Sequence, residues 1–508
     1  MDHDGVGRQP FGREPRIGVL VVAYNAESTL QSVLDRIPVS FRPKIAQLFV
    51  CDDHSHDSTY LVGLGYKQVA PDLPMAVIRH PRNFGYGGNQ KAGYRLAIDH
   101  DLDIVVMLHG DGQYAPECLE DIVGPLERGE CDAVMGSRMI VKGAARRGGM
   151  PLYKYVGNKI LTRFENFMLQ ANLTEFHSGY RAYSVKALSA IPFKSNSDGF
   201  NFDTQIIIQL IAAGKRIVEV PIPTYYGDEI CYVNGLRYAR DVCLDVIRYR
   251  AARLGFSRGD LAPPMNEYGF KADEDSSHGH ILNWLAQMPP SRVLDLGCAG
   301  GAVAERARHL GHSVVGVDIH ESPGIRSRVD RFVVADLDEG IPAEVGEGYD
   351  IVVAADVIEH VRHPDRLLAD VARVLVPHGV LIASVPNFGH WYPRVRVVTG
   401  LFDYDQRGIL DQTHMRFFTR RSFRGLVAAA GYEIIRQETI GLPLEALTGG
   451  KRGLVHAAGV VDRLLLTLRP TLFGYQFLFE LRRRTADQVT AGMTARAGRK
   501  VGLKAVSR

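Results

Sequence analysis

Short, uninterrupted apolar runs alternate with segments of helical period along most of the chain, and the alternation starts twice. Arg16–Ala23 (RIGVLVVA) runs straight into a polar turn, the pattern of a strand buried on both faces, and a helix is expected from about Glu27. The second start is Arg292–Leu296 (RVLDL), with a helix expected from about Ala302. Strand–helix alternation of this kind implies an α/β fold with largely parallel sheets, here as two doubly wound domains. Between them, Ser257–Ser277 is rich in Gly, Pro and acids and reads as a linker, with Ser276 or Ser277 capping the next helix. Gly474–Leu481 (GYQFLFEL) has the aromatic content of a final strand. From Arg482 onward eight Lys/Arg face one Asp, the composition of a disordered basic tail. The expected division is a flexible N-terminus over 1–15, a first domain over 16–256, a linker over 257–275, a second domain over 276–484 and the tail over 485–508.

Composition narrows the function classes. The 508 residues carry 60 Lys+Arg against 57 Asp+Glu, a net charge of +3, which argues against a nucleic-acid-binding protein. The six cysteines form no CxxC pair, so neither a disulfide framework nor a zinc ribbon is indicated. The polar N-terminus has no signal-peptide core, and no apolar stretch reaches the length of a membrane span. Gly453–Leu468 comes nearest but is broken by His456, Asp462 and Arg463. A helix packed on the second domain's core is the plainer expectation there, with peripheral membrane contact the alternative. Together these place the protein in the cytoplasm, with association at the inner membrane face left open.

Four clusters in the first domain fall where a doubly wound sheet places ligands, at the carboxyl ends of strands. They are Tyr24-Asn25, the turn Asp52–Thr59 (DDHSHDST), the glycine-rich Asn83–Asn89 (NFGYGGN), and His109–Gln113 (HGDGQ). Glycines in the third would let the backbone approach a ligand closely. Asp203, in GFNFDTQIIIQL, is either a general base or the N-cap of a helix over Thr204–Ala213.

With VVAYNAESTL, DDHSHDST, HGDGQY, MGSRM, SGYRAYS and EVPIPTYY in this order, residues 16–245 resemble the inverting family-2 glycosyltransferases, particularly the dolichol-phosphate mannose synthase-like branch. The resemblance implies a GT-A-type nucleotide-sugar domain with Mg²⁺ or Mn²⁺. It assigns donor binding to Tyr24, Asn25, Asp53, Gly85, Lys91, Asp111 and Arg138, with Asp53 on the nucleoside and Arg138 near the phosphates. Asp111 and Gln113 would hold the metal. The family's usual first acid is His109 here, and imidazole suits Mn²⁺ better than Mg²⁺. Pro221–Gly235 lacks the branch's Arg…Gly-x-Ser-Lys segment, which places a glycan acceptor ahead of a lipid phosphate.

The second domain opens with VLDLGCAGG, a strand ending in an acid and a glycine-rich turn. A second strand, VVGVD, ends in Asp318, 23 residues after Asp295, where a carboxylate can accept both ribose hydroxyls. FVVADL, YDIVVAADVIEH and GVLIASVPN follow. The series resembles class I S-adenosylmethionine-dependent methyltransferases close to the UbiG- and MetW-like groups, a Rossmann-like fold with an antiparallel last strand. By that resemblance Asp295, Gly297 and Gly301 border the methionine part, Asp318 holds the ribose, Asp336 and Leu337 flank the adenine, and Asp356 lies near the sulfonium. NAD is the alternative ligand. His414, and less so His360, are candidates to take an acceptor proton, against a structural role for each. Asn387–Trp391 and Phe402–Arg416 are expected to form a lid.

These readings converge on a bifunctional enzyme. It transfers a sugar from a nucleoside diphosphate donor to a glycan acceptor of cell-envelope type, and a methyl group from S-adenosylmethionine to a glycan or related small molecule. Two alternatives are a polyprenyl-phosphate sugar synthase at the membrane surface with an attached methyltransferase, and an inactive nucleotide-sugar-binding scaffold.

Overall fold

The computed structural model describes residues 13–225, 234–256, 261, 276–405, 407–442 and 452–484. Over 452–458 it describes backbone alone. Apart from 13–15 and Leu261, the expected flexible N-terminus, linker and basic tail lie outside these residues. The chain divides into two compact units, one holding most of the residues up to Ala251 and the other beginning at Ala252.

The first unit is built on a seven-stranded sheet in the order β3-β2-β1-β4-β6-β5-β7. The strands are β1 Ile17–Ala23, β2 Ile45–Asp52, β3 Met75–Arg79, β4 Ile104–His109, β5 Ala133–Ser137, β6 Arg181–Ser184 and β7 Ile217–Pro221. The apolar run in β1 has a direct cause. Ile17, Val19, Val21 and Ala23 face one core, and Leu20 and Val22 face the other, so neither side tolerates a polar residue. Full burial of each such aliphatic side chain stabilises by roughly 1.5–3 kcal/mol. The sheet departs from the expected parallel pattern at β6, which runs antiparallel to both β4 and β5.

Two expected helix boundaries also shift. The helix placed from Glu27 begins at Leu30, because Glu27 instead joins the next turn: its N–H donates to Asp57 and its carboxylate accepts from Ser58 N–H. The helix placed over Thr204–Ala213 runs Phe202–Ala212 with Asn201 at the N-cap. Asp203 is therefore not the cap. It sits inside the first turn, and its carboxylate points elsewhere.

The second unit's sheet has the order β10-β9-β8-β11-β12-β14-β13. Its strands are β8 Arg292–Leu296, β9 Ser313–Asp318, β10 Arg331–Val334, β11 Tyr349–Ala355, β12 Leu375–Pro386, β13 Tyr432–Ile440 and β14 Gln476–Arg483. Strands β8 to β12 pair in parallel, and β14 lies antiparallel between β12 and β13. Ser276 caps the opening helix Ser277–Leu285, accepting from Gly279 N–H. Order reverses at β8/β11 here and at β1/β4 in the first unit, and ligand crevices open at such switch points.

The helix Arg452–Leu468 does not bury its described side chains on the core as expected: Val460, Val461, Leu464 and Leu468 are each more than half exposed. Among the described residues, no helix is long and apolar enough to cross a membrane.

Candidate active sites

In the first unit, the turns after β1 and β2 are laced together by side chains. Asn25, at φ 48°, donates its N–H to Ser55 Oγ (2.9 Å) and accepts His56 N–H at Oδ1 (3.0 Å). Thr59 Oγ1 accepts Ala26 N–H at 2.7 Å. Tyr24 packs edge-on to His56. Asp53 is buried and accepts Phe84 N–H (2.7 Å) and Gly85 N–H (3.0 Å), so it holds the glycine-rich loop in place. Burial raises its carboxyl above the ordinary range, and the two amide bonds oppose that.

The glycines of that loop serve a different approach from the one expected. A Cβ on Gly85 would come within 2.7 Å of Asp198 O, and one on Gly87 within 2.5 Å of Ser197 O. The close neighbour is the chain itself. Lys91, one turn into the same helix, donates to Asn196 O and pairs with Asp198. Lys91, Arg82, Phe84 and Asp198 help to line a cavity of about 370 Å³.

At the end of β4, His109 and Asp203 meet through one hydroxyl. Tyr86 donates to Asp203 Oδ2 (2.9 Å) and lies 3.3 Å from His109 Nε2. With the tyrosine's single proton directed at the carboxylate, the contact is compatible with a neutral His109 that carries its proton on Nε2. Burial lowers the His109 pKa, which favours this neutral form, although Asp111 and Asp203 act in the opposite sense. Gly179, of SGYR, closes against the same ring, where a Cβ would sit 2.6 Å from His109 Nε2. Asp203 also accepts from Gln90 Nε2 (3.1 Å) and faces Arg181 Nη2 at 3.6 Å. Asp111 uses one carboxylate oxygen to accept Gln113 N–H (3.0 Å) and is half-buried, so the other is open to a cation.

Arg138 is held by a partner that the sequence did not mark. Its backbone N–H and guanidinium both bind Glu175, which is fully buried, and Asn158 Nδ2 adds a third donor at 2.8 Å. Burial would raise the Glu175 carboxyl, but Arg138 holds it below the usual range. The structure thus brings Asp53 to Gly85 and His109 to Asp203, and it ties Lys91 and Arg138 to carboxylates. Glu175, Tyr86 and Arg181 are the additions. The acid at 175 and the arginine at 181, the opposite charges of the short segment TEFHSGYR that leads into β6, were the available signal.

In the second unit the acids near strand ends are held by backbone amides and by neutral side chains. Asp295 alternates with Leu294 and Leu296 on β8 and is buried; burial, with Asp318 nearby, raises its carboxyl to about 7. Asp318 accepts Ala299 N–H (2.8 Å) and His320 N–H (3.2 Å), and stays half-buried. Gly297 and Gly301 adopt φ of 65° and 74°, and a Cβ at either would strike Val357 or Ile325. Ala299 between them is left-handed too, at φ 47°. Asp336 is exposed and Leu337 half-buried after β10. Asp356, at φ 56°, accepts from Ser384 Oγ (2.6 Å) and from Gln476 Nε2 (2.7 and 2.8 Å), residues of β12 and β14.

His414 is buried, with Nδ1 3.2 Å from Ile409 O, and its ring meets His360 at 4.8 Å. Burial lowers its pKa, and His360 adds to the effect. Among the described residues, Glu359, His360 and His414 are the group of His, Cys, Asp or Glu side chains whose ligand atoms lie within 4.8 Å of one another. Phe388 and Phe402 meet edge-on in the expected lid, and Trp391, Phe402 and Tyr404 are exposed.

Two seven-stranded α/β sheets, each with acids gathered near a switch point, carry two candidate sites on one chain. Residues 18–191 match the glycosyl transferase family 2 profile, and residues 260–437 match a methyltransferase domain profile. The chain is 30% identical to protein MJ1222 of Methanocaldococcus jannaschii over 42% of its own length and 82% of that protein. It is 29% identical to the undecaprenyl-phosphate mannosyltransferase of Micrococcus luteus over 41% and 82%. It is 30% identical to the ubiquinone biosynthesis O-methyltransferase of Azorhizobium caulinodans over 36% and 74%. The chain belongs to glycosyl transferase family 2 in its first domain and to the S-adenosylmethionine-dependent methyltransferases in its second.

Proposed function

We propose that the first unit transfers a glycosyl group from a nucleoside diphosphate sugar to a polyprenyl-type phosphate, and that the second methylates a hydroxyl of the resulting glycan. One observation carries the choice of acceptor. Asp203, the expected base, is buried, accepts from Tyr86 and Gln90 and faces Arg181, so it is poorly placed to take the proton of a sugar hydroxyl. A phosphate acceptor is already anionic and needs no base. This reverses the order of acceptors expected from Pro221–Gly235, of which 226–233 lie outside the described residues. The similarity to an undecaprenyl-phosphate mannosyltransferase supports the same reading.

In the first step a phosphate oxygen bonds to the anomeric carbon as the bond to the nucleoside diphosphate breaks. Asp111, through the oxygen not taken by Gln113 N–H, together with Gln113 and His109, would hold the metal, and an imidazole among them would suit Mn²⁺. A metal there would supply neutralisation of the departing diphosphate. In the second unit S-adenosylmethionine would be held by Asp318 and the Gly297–Gly301 turn, and supplies an activated methyl group. His414 would take the proton that the acceptor hydroxyl gives up on methylation. With Nδ1–H directed at Ile409 O, Nε2 carries the receiving lone pair.

Transfer assays with UDP-, GDP- and dTDP-sugars and Mn²⁺, offered polyprenyl phosphate or an oligosaccharide, test the reading. Labelled lipid is expected, without an enzymic base ionising near neutrality in the pH profile. Transfer to the oligosaccharide alone would restore the glycan acceptor. If no nucleotide binds in a calorimetric titration with metal, the first unit is a scaffold.

A further inference from the structure

The second unit contains a cavity of about 550 Å³ that neither transfer step uses. Asn387 and Gly389 form its floor just after β12, and Arg394 enters from the helix Trp391–Val398. Arg420, Arg421 and Arg424 come from the first turns of the helix Arg420–Ala429. Four of the eight lining residues are arginines and none is acidic. Arg394 is oriented by Nε–H donation to Gly389 O (2.7 Å). Among the described residues, no carboxylate pairs with Arg420, Arg421 or Arg424.

Guanidinium groups stay charged at any working pH, so these cations repel one another unless an anion lies between them. The helix adds the positive end of its dipole, and its first-turn N–H groups have no acceptor within the helix. The Thr419–Ser422 capping box satisfies only part of that turn. A phosphate meets such a site better than a single carboxylate does. It carries more charge, and its oxygens accept from several guanidinium forks at once.

Position ties the cavity to the chemistry. Ser384, which donates to Asp356, lies three residues before Asn387, a rise of about 10 Å along the strand. That leaves room for a sugar between an anchored phosphate and the methyl-transfer point. Exposed apolar side chains occur on the two helices nearest in sequence to the lining residues: Trp391, Val395 and Val398 are 39%, 50% and 86% exposed on the helix that bears Arg394, and Leu464 and Leu468 are 58% and 64% exposed in the helix that precedes Thr471.

We propose that this arginine cavity is a phosphate site that anchors the methyl acceptor by a phosphate or diphosphate ester. The link to methyl transfer rests on the function proposed above; phosphate binding itself does not.

The test is calorimetric titration of the full chain with inorganic pyrophosphate in EDTA, which silences any metal-dependent nucleotide site. Wild type is compared with the R421Q/R424Q variant. Weakening of about tenfold or more, with S-adenosylmethionine binding unchanged, is expected. Equal binding by both proteins, or none by either, overturns the proposal whether or not glycosyl transfer is observed. Flotation with phosphatidylcholine vesicles, plain or doped with polyprenyl phosphate, then separates the sources. Capture by doped vesicles alone, competed by pyrophosphate, identifies a lipid-borne phosphate; pyrophosphate binding without capture identifies a free ester. Capture by any anionic vesicle without competition reduces the cavity to surface charge and overturns the proposal.

Discussion

The acids of the two candidate sites face different tasks. In the first unit Asp53 and Asp203 are already occupied, and Glu175 is buried against Arg138. They fix loops and orient neighbours, whereas Asp111 is half-buried and uses one oxygen to accept Gln113 N–H. In the second, Asp318 and Asp336 are partly or wholly exposed, and Asp295 is buried without a cationic partner. Acids buried or paired within the protein shape a site; acids that keep solvent exposure, as Asp318 and Asp336 do, are the ones left to meet a ligand. Asp356 is the exception, locked by Ser384 and Gln476.

The comparison breaks most sharply at Glu175. Removing one partner of a buried ion pair leaves the other charge uncompensated, so Glu175→Ala should cost about 3–5 kcal/mol. Denaturant unfolding should show the loss in the first unit, with S-adenosylmethionine binding by the second intact. Next in size, Asp111→Asn should remove metal-dependent nucleotide binding by tenfold or more, on the order of 1.4 kcal/mol or above, while leaving the melting temperature nearly unchanged. If Asp111→Asn instead unfolds the domain, the residue belongs with the structural acids.

Asp295 sharpens the contrast through pH. Its folded pKa of about 7 exceeds the ordinary carboxylate value, so the folded state keeps a proton that the unfolded chain releases. Stability from this group is therefore full below the ordinary range and is lost as pH rises toward 7. Asp295→Asn should flatten that fall, gaining stability at about pH 8 and nothing at about pH 4. A cationic donor favours the ionised acid, so wild-type affinity for S-adenosylmethionine should drop as pH falls below about 7, and the variant's should not. The smallest effect is at Ala299. A non-glycine residue in the left-handed region carries about 1–2 kcal/mol of strain, so Ala299→Gly should stabilise the second unit by about 1 kcal/mol after the entropic cost of glycine.

Much of the architecture was legible because burial on both faces of β1 writes a short apolar run that ends in a polar turn. The antiparallel β6 was not, since four residues (RAYS) carry too little periodicity to reveal direction. Strand-end acids could be located from sequence, but their occupation could not: Asp53 and Phe84 are 31 residues apart, and His109 and Asp203 meet only through Tyr86. The misplacement of Asp203 as a cap has the same origin. Local sequence offers an N-terminal acid, and a distant tyrosine, glutamine and arginine claim it.

The placement of β14 between β12 and β13 also bears on biosynthesis. During translation β13 is complete some 35 residues before the strand that joins it to the sheet, so until Gln476–Arg483 leaves the ribosome β13 has no pairing partner and β12 presents an open edge. A nascent or truncated chain stopping short of Gln476 would lose two strands at once, together with the Gln476 clamp on Asp356, and would expose an edge prone to intermolecular pairing.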